Sequence, residues 1–482
     1  MAVGMPTVAA GAAQIAGLTS DSRQVAPGFL FAALPGSKAD GRAFVDAAIE
    51  RGAAAILLPE GSEIDRAKAQ ARGVSLLFES APRRRFAQMA AAFHGRQPET
   101  VIAVTGTNGK TSVAHFAAQI LKAAGRVSGY IGTLGAWGGA VRIDGSLTTP
   151  DPVALHQVLS RMADAGVTHL AMEASSHGLD QFRVDGVRVA VAAFTNLSRD
   201  HLDYHGSMEA YFAAKARLFG EVVRADGTAV LNADVPEFAA LDRLCAARAI
   251  RVISFGAHGR DLRLTDVAPT AAAQTLRVAI AGRTHVIELP LAGRFQASNA
   301  LCAAGCAMAT GVEPAVALAA LAGLQGVPGR MQLAGRHASG APVYVDYAHT
   351  PDALDTVLNA LRPHTAARLI VVFGCGGDRD RGKRPLMGAR ACELADLVIV
   401  TDDNPRSEDP AAIRSQVLAG CPHATEIGDR AEAISFAVSQ LRHGDVLLLA
   451  GKGHEAGQIV ADRVIPFSDV DAARAALKSG AP

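Results

Sequence analysis

Val101-Ile-Ala-Val104-Thr105-Gly106-Thr107-Asn108-Gly109-Lys110-Thr111-Ser112 is the stretch on which the fold turns. Val101–Val104 reads as a buried β-strand, and the Ala/Leu-rich run from about Thr111 to Ala124 reads as a helix. Between them stands a glycine loop. Glycines let the backbone turn tightly enough for its N–H groups to face an anion. The helix N-terminus adds about half a positive charge. In this reading Gly106, Thr107, Asn108 and Gly109 cradle phosphates, and Lys110 reaches the β- and γ-phosphates. The hydroxyl of Thr111 or Ser112 meets Mg²⁺. The spacing departs from the general phosphate loop, because Val104 stands five residues before Gly109 where that pattern has glycine. The strand–loop–helix context still implies a nucleoside triphosphate. No G-x-G-x-x-G occurs in such a context, so a dinucleotide oxidoreductase loses its main support.

The same rhythm recurs outward from this point. His169–Met172 ends at Glu173, Val189–Phe194 at Thr195-Asn196, and Leu369–Phe373 at a glycine cluster. Leu397–Val400 ends at Thr401-Asp-Asp-Asn404, and Val446–Leu449 runs into Gly451-Lys-Gly-His-Glu455. Continuous apolar strands alternating with helices predict an α/β protein with parallel sheets covered on both faces. Polar residues gather just after the strands, where open α/β sheets bind ligands. Breaks at Arg96–Glu99 and Gly326–Arg330 predict three domains, 1–97, 98–330 and 331–482.

Composition narrows the function. The 482 residues carry 47 Lys and Arg against 46 Asp and Glu, a net charge of +1, which argues against a bulk polyanion binder. Aromatic content of 5%, with Trp137 the single tryptophan, argues against stacking platforms for nucleic acid. The six cysteines form no C-x-x-C pair and read as reduced buried thiols. Residues 1–18 lack the basic start of a signal peptide, and no apolar run reaches the roughly 18 residues of a membrane span. The expectation is a cytoplasmic protein that binds no nucleic acid and inserts in no membrane.

Several strand-end residues are candidates on chemistry alone. Mg²⁺ prefers oxygen ligands and retains waters, which suits Glu173 beside a phosphate site. His201 lies in the cluster Arg199-Asp-His-Leu-Asp203. Lys215, flanked by alanines on a helix-like stretch, reads by default as a snorkelling lysine. The segments 19–28 and 35–42 read as turns capped by Ser and Asp. Asn299 reads as a helix-packing residue and Arg330 as a surface residue. Ser407 or Asp409 caps a helix opened by Pro410.

Thr105-Gly-Thr-Asn-Gly-Lys-Thr111 resembles the phosphate loop of the Mur ligases, ATP-dependent amide-forming enzymes of peptidoglycan synthesis that include folylpolyglutamate synthetase as a relative. The resemblance extends over nearly the whole chain. It implies an N-terminal UDP-sugar-binding α/β domain, a central P-loop ATPase-like parallel-sheet domain and a C-terminal Rossmann-like α/β domain. It implies that Lys215 carries CO₂ as a carbamate, and that Lys110, Glu173, His201 and Lys215 form the catalytic group. Thr111, Glu173, His201 and the carbamate of Lys215 are implied around Mg²⁺. Asn299, Arg330 and Asp346 match positions at ATP. Ser20, Ser22, Ser37, Lys38, Ala39, Thr148, Thr149, Ser175, Gln181 and Arg183 match positions at the UDP-sugar peptide. The 37–39 turn is Ser-Lys-Ala where the family often has His-Gln-Ala, and Leu147 stands where some members have Asn.

An incoming amino acid needs a cation for each carboxylate and acceptors for its ammonium. Arg379 and Arg406 supply the first, Asp403 and Glu455 the second. Asp403-Asn404-Pro405-Arg406 resembles the signature of members that add meso-2,6-diaminopimelate, and Gly451, after the last strong strand, is a further candidate at that substrate. That substrate differs from lysine by one extra carboxylate, and a buried Arg left without its partner disfavours lysine by roughly 2–5 kcal/mol. The implied reaction adds diaminopimelate to the D-glutamate of UDP-N-acetylmuramoyl-L-alanyl-D-glutamate through an acyl phosphate, with ATP as co-substrate and the chain as a monomer. The implied setting is cell-wall synthesis, and through it cell shape and division. The alternatives are a lysine-adding or folylpolyglutamate-type ligase and, in another class, a P-loop ATPase driving a partner. The UDP-domain motifs and Arg406 argue against the first two.

Overall fold

A computed structural model describes residues 8–10, 13–36, 39–145, 147–270 and 272–479. Ser37 and Lys38 therefore lie outside the described residues. The chain forms two compact units, residues 1–255 with 305–313, and residues 256–304 with 314–482.

Besides a short antiparallel pair, Val8–Ala10 with Ala13–Ile15, the first unit holds a small parallel sheet and a larger one that is parallel except at Gly135–Gly138 and Val141–Ile143, which pair antiparallel. The smaller runs in chain order through Gly17–Thr19, Phe29–Ala32, Ala55–Pro59 and Ser75–Glu79. Phe31, Ile56 and Leu58 pack on one of its faces, and Leu30, Ala32 and Leu57 face the helix Pro82–His94 on the other. In the larger sheet the phosphate-loop strand Thr100–Thr105 lies between His169–Glu173 and Val189–Phe194. All three run parallel, as do Ser128–Gly132, Thr228–Asn232 and the strand from Arg251. The central position buries Val101–Thr105 completely, which is why Val101–Val104 is uniformly apolar. Within the Arg96–Glu99 segment Gln97 ties the chain to residues 186–188. Gln97 accepts from the Arg188 N–H at 2.9 Å and donates to the Gly186 carbonyl at 3.2 Å.

The second unit contains an antiparallel set, Leu262–Pro269, Gln274–Ile280 and Arg283–Leu289, and a mixed sheet. The mixed sheet runs Gln332–Arg336, Pro342–Asp346, Val446–Ala450, Leu369–Phe373, Leu397–Val400 and Thr425–Glu426, antiparallel only at its first pair. The two-residue side-chain period divides each strand between two cores. Val371, Phe373 and Leu448 enter one, and Ile370, Val372, Leu447 and Leu449 the other. Polar strand ends at Asp346, Thr401 and Gly451 thus emerge together at the carboxyl edge of one sheet.

Candidate functional site

The glycine loop expected to hold phosphates is braced by the neighbouring strand. Gly106 has φ +144°, and a Cβ there would lie 1.9 Å from Thr195 Oγ1, so glycine is required. Gly109, at φ +85°, turns the chain into the helix Lys110–Ala123. Thr195 Oγ1 donates to the Asn108 carbonyl at 2.6 Å, and the Asn108 N–H donates to Asn196 Oδ1 at 2.9 Å. Lys110 Nζ donates to the carbonyls of Gly106 and Thr107 at 3.0 and 2.7 Å. That folds the ammonium back over the loop it is expected to serve.

Glu173, 1% exposed, ends the adjacent strand. Its carboxylate accepts from Tyr130 Oη at 2.6 Å, the Thr133 N–H at 2.8 Å and Thr111 Oγ1 at 3.0 Å. The expected Mg²⁺ partners Glu173 and Thr111 are therefore joined directly. Among the described residues no three His, Cys, Asp or Glu side chains gather as a metal site. A carboxylate with a hydroxyl, leaving places for phosphate oxygens and water, nevertheless fits the hard-oxygen preference of Mg²⁺. Tyr130 and Thr133 were not among the expected residues. They lie some 40 positions from Glu173, and no local pattern marks them.

Lys215 does not snorkel. It is 1% exposed, its Nζ donates to the Gly106 carbonyl at 2.7 Å, and it lies 4.3 Å over the Tyr211 ring. Tyr211 Oη in turn meets Thr107 Oγ1 at 3.2 Å. Burial, and then the Lys110 ammonium, push the Lys215 amine down to about 6. His201 sits in the left-handed region at φ +51°, half exposed, with Nε2 3.4 Å from Asp200 Oδ2. Its ring lies 4.8 Å from that of His177.

Thr149, Ser175, Gln181 and Arg183 form one network. Thr149 Oγ1 donates to the Glu173 carbonyl at 3.0 Å and accepts from the Ser175 N–H at 2.9 Å. Ser175 caps the helix Ser176–Asp180, and Arg183 bonds the Thr149 carbonyl and Gln181 Oε1 at 2.8 and 2.7 Å. Thr148 Oγ1 meets Thr133 Oγ1 at 3.0 Å. Ser20 and Ser22 stand at the end of the strand Gly17–Thr19, where Asp21 caps a short 3₁₀ turn, and Ala39 is exposed. The Arg23 guanidinium holds the Asp21 carboxyl down at about 2.

In the second unit Asn299 donates to Gln296 Oε1 at 3.1 Å, and Arg330 lies 4.7 Å over the Tyr347 ring. Asp346 accepts from the backbone N–H groups of Met331 and Ala348 at 2.7 and 2.8 Å, so here it braces two turns. Burial raises its pKa, against the pull of Arg330 and those two bonds.

The turn after the strand Leu397–Val400 is held from several sides. Asn404 and Glu455 meet at 2.9 Å, and Asp403 is buried, which raises its pKa. Arg406 adopts φ +52°. Its N–H donates to the Ile459 carbonyl at 3.0 Å, and its carbonyl accepts from Ala461 at 2.7 Å. Gln458 Nε2 donates to the Asp403 carbonyl at 2.6 Å, and the Ile459 N–H to Asn404 Oδ1 at 2.9 Å. The hairpin Gly457–Val460 with Arg463–Pro466 thus clamps residues 403–406, a role its composition does not advertise. Pro405 backs the turn closely, since a Cβ on Gly377 would lie 1.9 Å from its carbonyl oxygen. Arg406 Nη1 donates to the Gly377 carbonyl at 2.8 Å, whereas Arg379 is exposed and bonds the Asp378 carbonyl at 3.1 Å. Asp409 is the helix cap; Ser407 instead donates to Asp378 at 2.6 Å. Within the charge run, Arg384 is buried against Glu408 at 2.9 Å and is structural.

Three family models match the chain: the Mur ligase family catalytic domain over residues 14–94, the Mur ligase middle domain over 104–307, and the Mur ligase glutamate ligase domain over 329–453. The chain is 54% identical over 465 residues to the UDP-N-acetylmuramoyl-L-alanyl-D-glutamate–2,6-diaminopimelate ligase of Caulobacter vibrioides, covering 95% of this chain and 94% of the relative. It is 53% identical over 468 residues to the enzyme of that name from Brucella melitensis, covering 97% and 95%. A solved structure of a ligase of the same name superposes with a TM-score of 0.74 at 35% identity, covering 97% of this chain and 95% of the other. Mycobacterium tuberculosis folylpolyglutamate synthase, with a TM-score of 0.63 at 20% identity over 84% of this chain and 96% of the other, shares the fold.

Proposed function

This chain belongs to the Mur ligase family, and we propose that it works as the family's diaminopimelate-adding enzyme. It is an ATP-dependent acid–amino-acid ligase of peptidoglycan synthesis, joining meso-2,6-diaminopimelate to the D-glutamate of UDP-N-acetylmuramoyl-L-alanyl-D-glutamate. The observation that carries this reading is 54% identity over 95% of the chain to a relative of that name.

An amine does not displace oxide from a carboxylate, so the D-glutamate side chain must first be activated. Its carboxylate oxygen attacks the γ-phosphorus of ATP, the β–γ bridging bond breaks, and ADP and an acyl phosphate result. The diaminopimelate amine then attacks the acyl carbon. A C–N bond forms, inorganic phosphate leaves, and nitrogen loses a proton.

Lys110 exchanges its loop carbonyls for the β- and γ-phosphates and offsets their charge. Glu173, Thr111, His201 and the carbamate of Lys215 would hold Mg²⁺, which would supply charge neutralisation for the phosphate oxygens. Lys215 reacts with CO₂: its neutral amine forms the N–C bond of a carbamate and one proton is released. The geometry favours this, because burial keeps the amine largely unprotonated at neutral pH and Lys110 favours an anion beside it. Asn299, Arg330 and Asp346 serve the nucleotide. Ser20, Ser22, Ala39, Thr148, Thr149, Ser175, Gln181 and Arg183 serve the UDP-sugar peptide, as do Ser37 and Lys38. Arg379 and Arg406 take carboxylates of diaminopimelate, Asp403 and Glu455 take its ammonium, and Asn404 and Gly451 complete that pocket. Pro405 sets the turn. The functional division into residues 1–97, 98–330 and 331–482 is supported by the extents of the three family models. The reaction belongs in the cytoplasm, which supplies ATP; among the described residues no helix is long and apolar enough to cross a membrane.

The deciding assay is ADP release by the full chain with each substrate omitted in turn. Turnover should require the UDP-sugar dipeptide and diaminopimelate together. Equal turnover with lysine, or ADP release without any amino acid, overturns the reading.

A further inference from the structure

We propose that Lys452 is a positioning residue of the amino-acid pocket, holding Glu455, together with Asn404, where an incoming ammonium group needs it. The proposal rests on the reading of residues 403–406 and 451–455 as that pocket.

Lys452 follows the strand Val446–Ala450 through Gly451, which has φ +111°. A Cβ at Gly451 would lie 2.8 Å from Asp403 Oδ2, so glycine lets the chain pass close to that acid. The Lys452 side chain is 0% exposed. Its Nζ donates to Glu455 Oε2 at 3.0 Å and to Asn404 Oδ1 at 3.1 Å, and lies 3.9 Å from Asp403 Oδ1. Asn404 Nδ2 donates to the same Glu455 Oε2 at 2.9 Å. One carboxylate oxygen therefore receives two hydrogen bonds, and those donors are tied to each other through Asn404 Oδ1. The three side chains form a closed triangle. Glu455 is about one-third exposed, so it is the member that reaches solvent.

The charges favour a cation. Asp403 and Glu455 bring two carboxylates, and Lys452 brings one ammonium. The nearby Arg430 is committed to Asp469 through two bonds of 2.7 Å, both side chains being fully buried. Within the cluster itself two carboxylates thus face one ammonium, an excess complementary to an arriving ammonium. A buried lysine is costly to desolvate and persists only where partners hold it. Without it Asp403 and Glu455 repel each other and Asn404 loses a donor. The exposed Glu455 carboxylate would then swing outward, away from the geometry that receives the amine.

The test compares the full-length enzyme with Lys452→Met, Glu455→Gln and the double variant, measuring KM for each of the three substrates and kcat. Lys452→Met should raise KM for diaminopimelate by about thirtyfold or more, while kcat and the KM values for ATP and the UDP-sugar dipeptide change less than about threefold. Because Lys452 acts through Glu455, the double variant should bind diaminopimelate about as Glu455→Gln does. The double variant leaves no unpaired glutamate, so it serves as the measurement where the single variant folds poorly. A uniform rise in all three KM values, an unchanged KM for diaminopimelate, or a double variant whose loss is the product of the two single losses overturns the proposal. An unaltered enzyme that turns over without diaminopimelate overturns instead the pocket assignment on which it rests.

Discussion

Replacing Lys215 by Met should make the resting protein more stable and remove its activity. Burial and Lys110 push the Lys215 amine from its ordinary 10.5 down to about 6, opposed by Asp200. At pH 7 the unfolded chain carries this lysine protonated, and the folded chain carries it mostly neutral. At about 1.4 kcal/mol for each tenfold in protonation, withholding that proton costs roughly 5 kcal/mol. Methionine avoids this cost at similar length. It gives up the bond to the Gly106 carbonyl and the packing of the neutral amine on the Tyr211 ring, together about 2 kcal/mol. The Gly106 carbonyl keeps Lys110 at 3.0 Å, so it is not left without a donor. The net expectation is a gain of about 3 kcal/mol at pH 7.

The sign of the pH dependence follows from the same two values. The folded-state value lies below the unfolded one, so the unfolded chain binds more protons between about pH 6 and pH 10.5. Across that window the stability contributed at this site in the unaltered protein rises with pH. The advantage of Met is therefore largest below pH 6 and fades towards pH 10.5. Urea unfolding in CO₂-free buffer at several pH values measures it, with ADP release followed in parallel. A variant whose advantage does not shrink from pH 6 to pH 9 refutes the reasoning about burial, and one that retains full turnover refutes the carbamate role.

Arg406→Lys keeps the charge but loses the planar fork, and should raise KM for diaminopimelate by roughly thirtyfold or more with KM for ATP nearly unchanged. Equal effects on both substrates would remove Arg406 from the pocket. Arg430→Met leaves Asp469 buried without a partner and should destabilise the protein by about 3–5 kcal/mol, whereas Arg430→Met with Asp469→Leu should recover most of that loss. Urea midpoints decide it: a single variant as stable as the unaltered chain shows that the pair contributes nothing.

Much of the site was legible because its signals are local. The glycine loop before Lys110, and polar residues closing the apolar runs at Glu173, Thr401 and Gly451, are written in consecutive residues. The burial of Lys215 was not. Alanine neighbours on a helix read equally as a snorkelling lysine, and only the approach of Gly106, 109 positions away, decides against it. Tyr130 and Thr133 escaped for the same reason. Lys452 was visible as part of Gly451–Glu455, yet nothing in that motif says that its ammonium turns inward to Asn404, 48 positions earlier.

The chain's own order of residues settled the α/β class, the strand ends and the glycine loop before Lys110, because side-chain periodicity and glycine backbone freedom act over a few neighbouring positions. Only the tertiary structure decided which strand-end groups meet, which charges are stripped of water and which loops are clamped. Desolvation and hydrogen bonding depend on what arrives from distant parts of the chain, as the hairpin laid along Asp403–Arg406 makes plain.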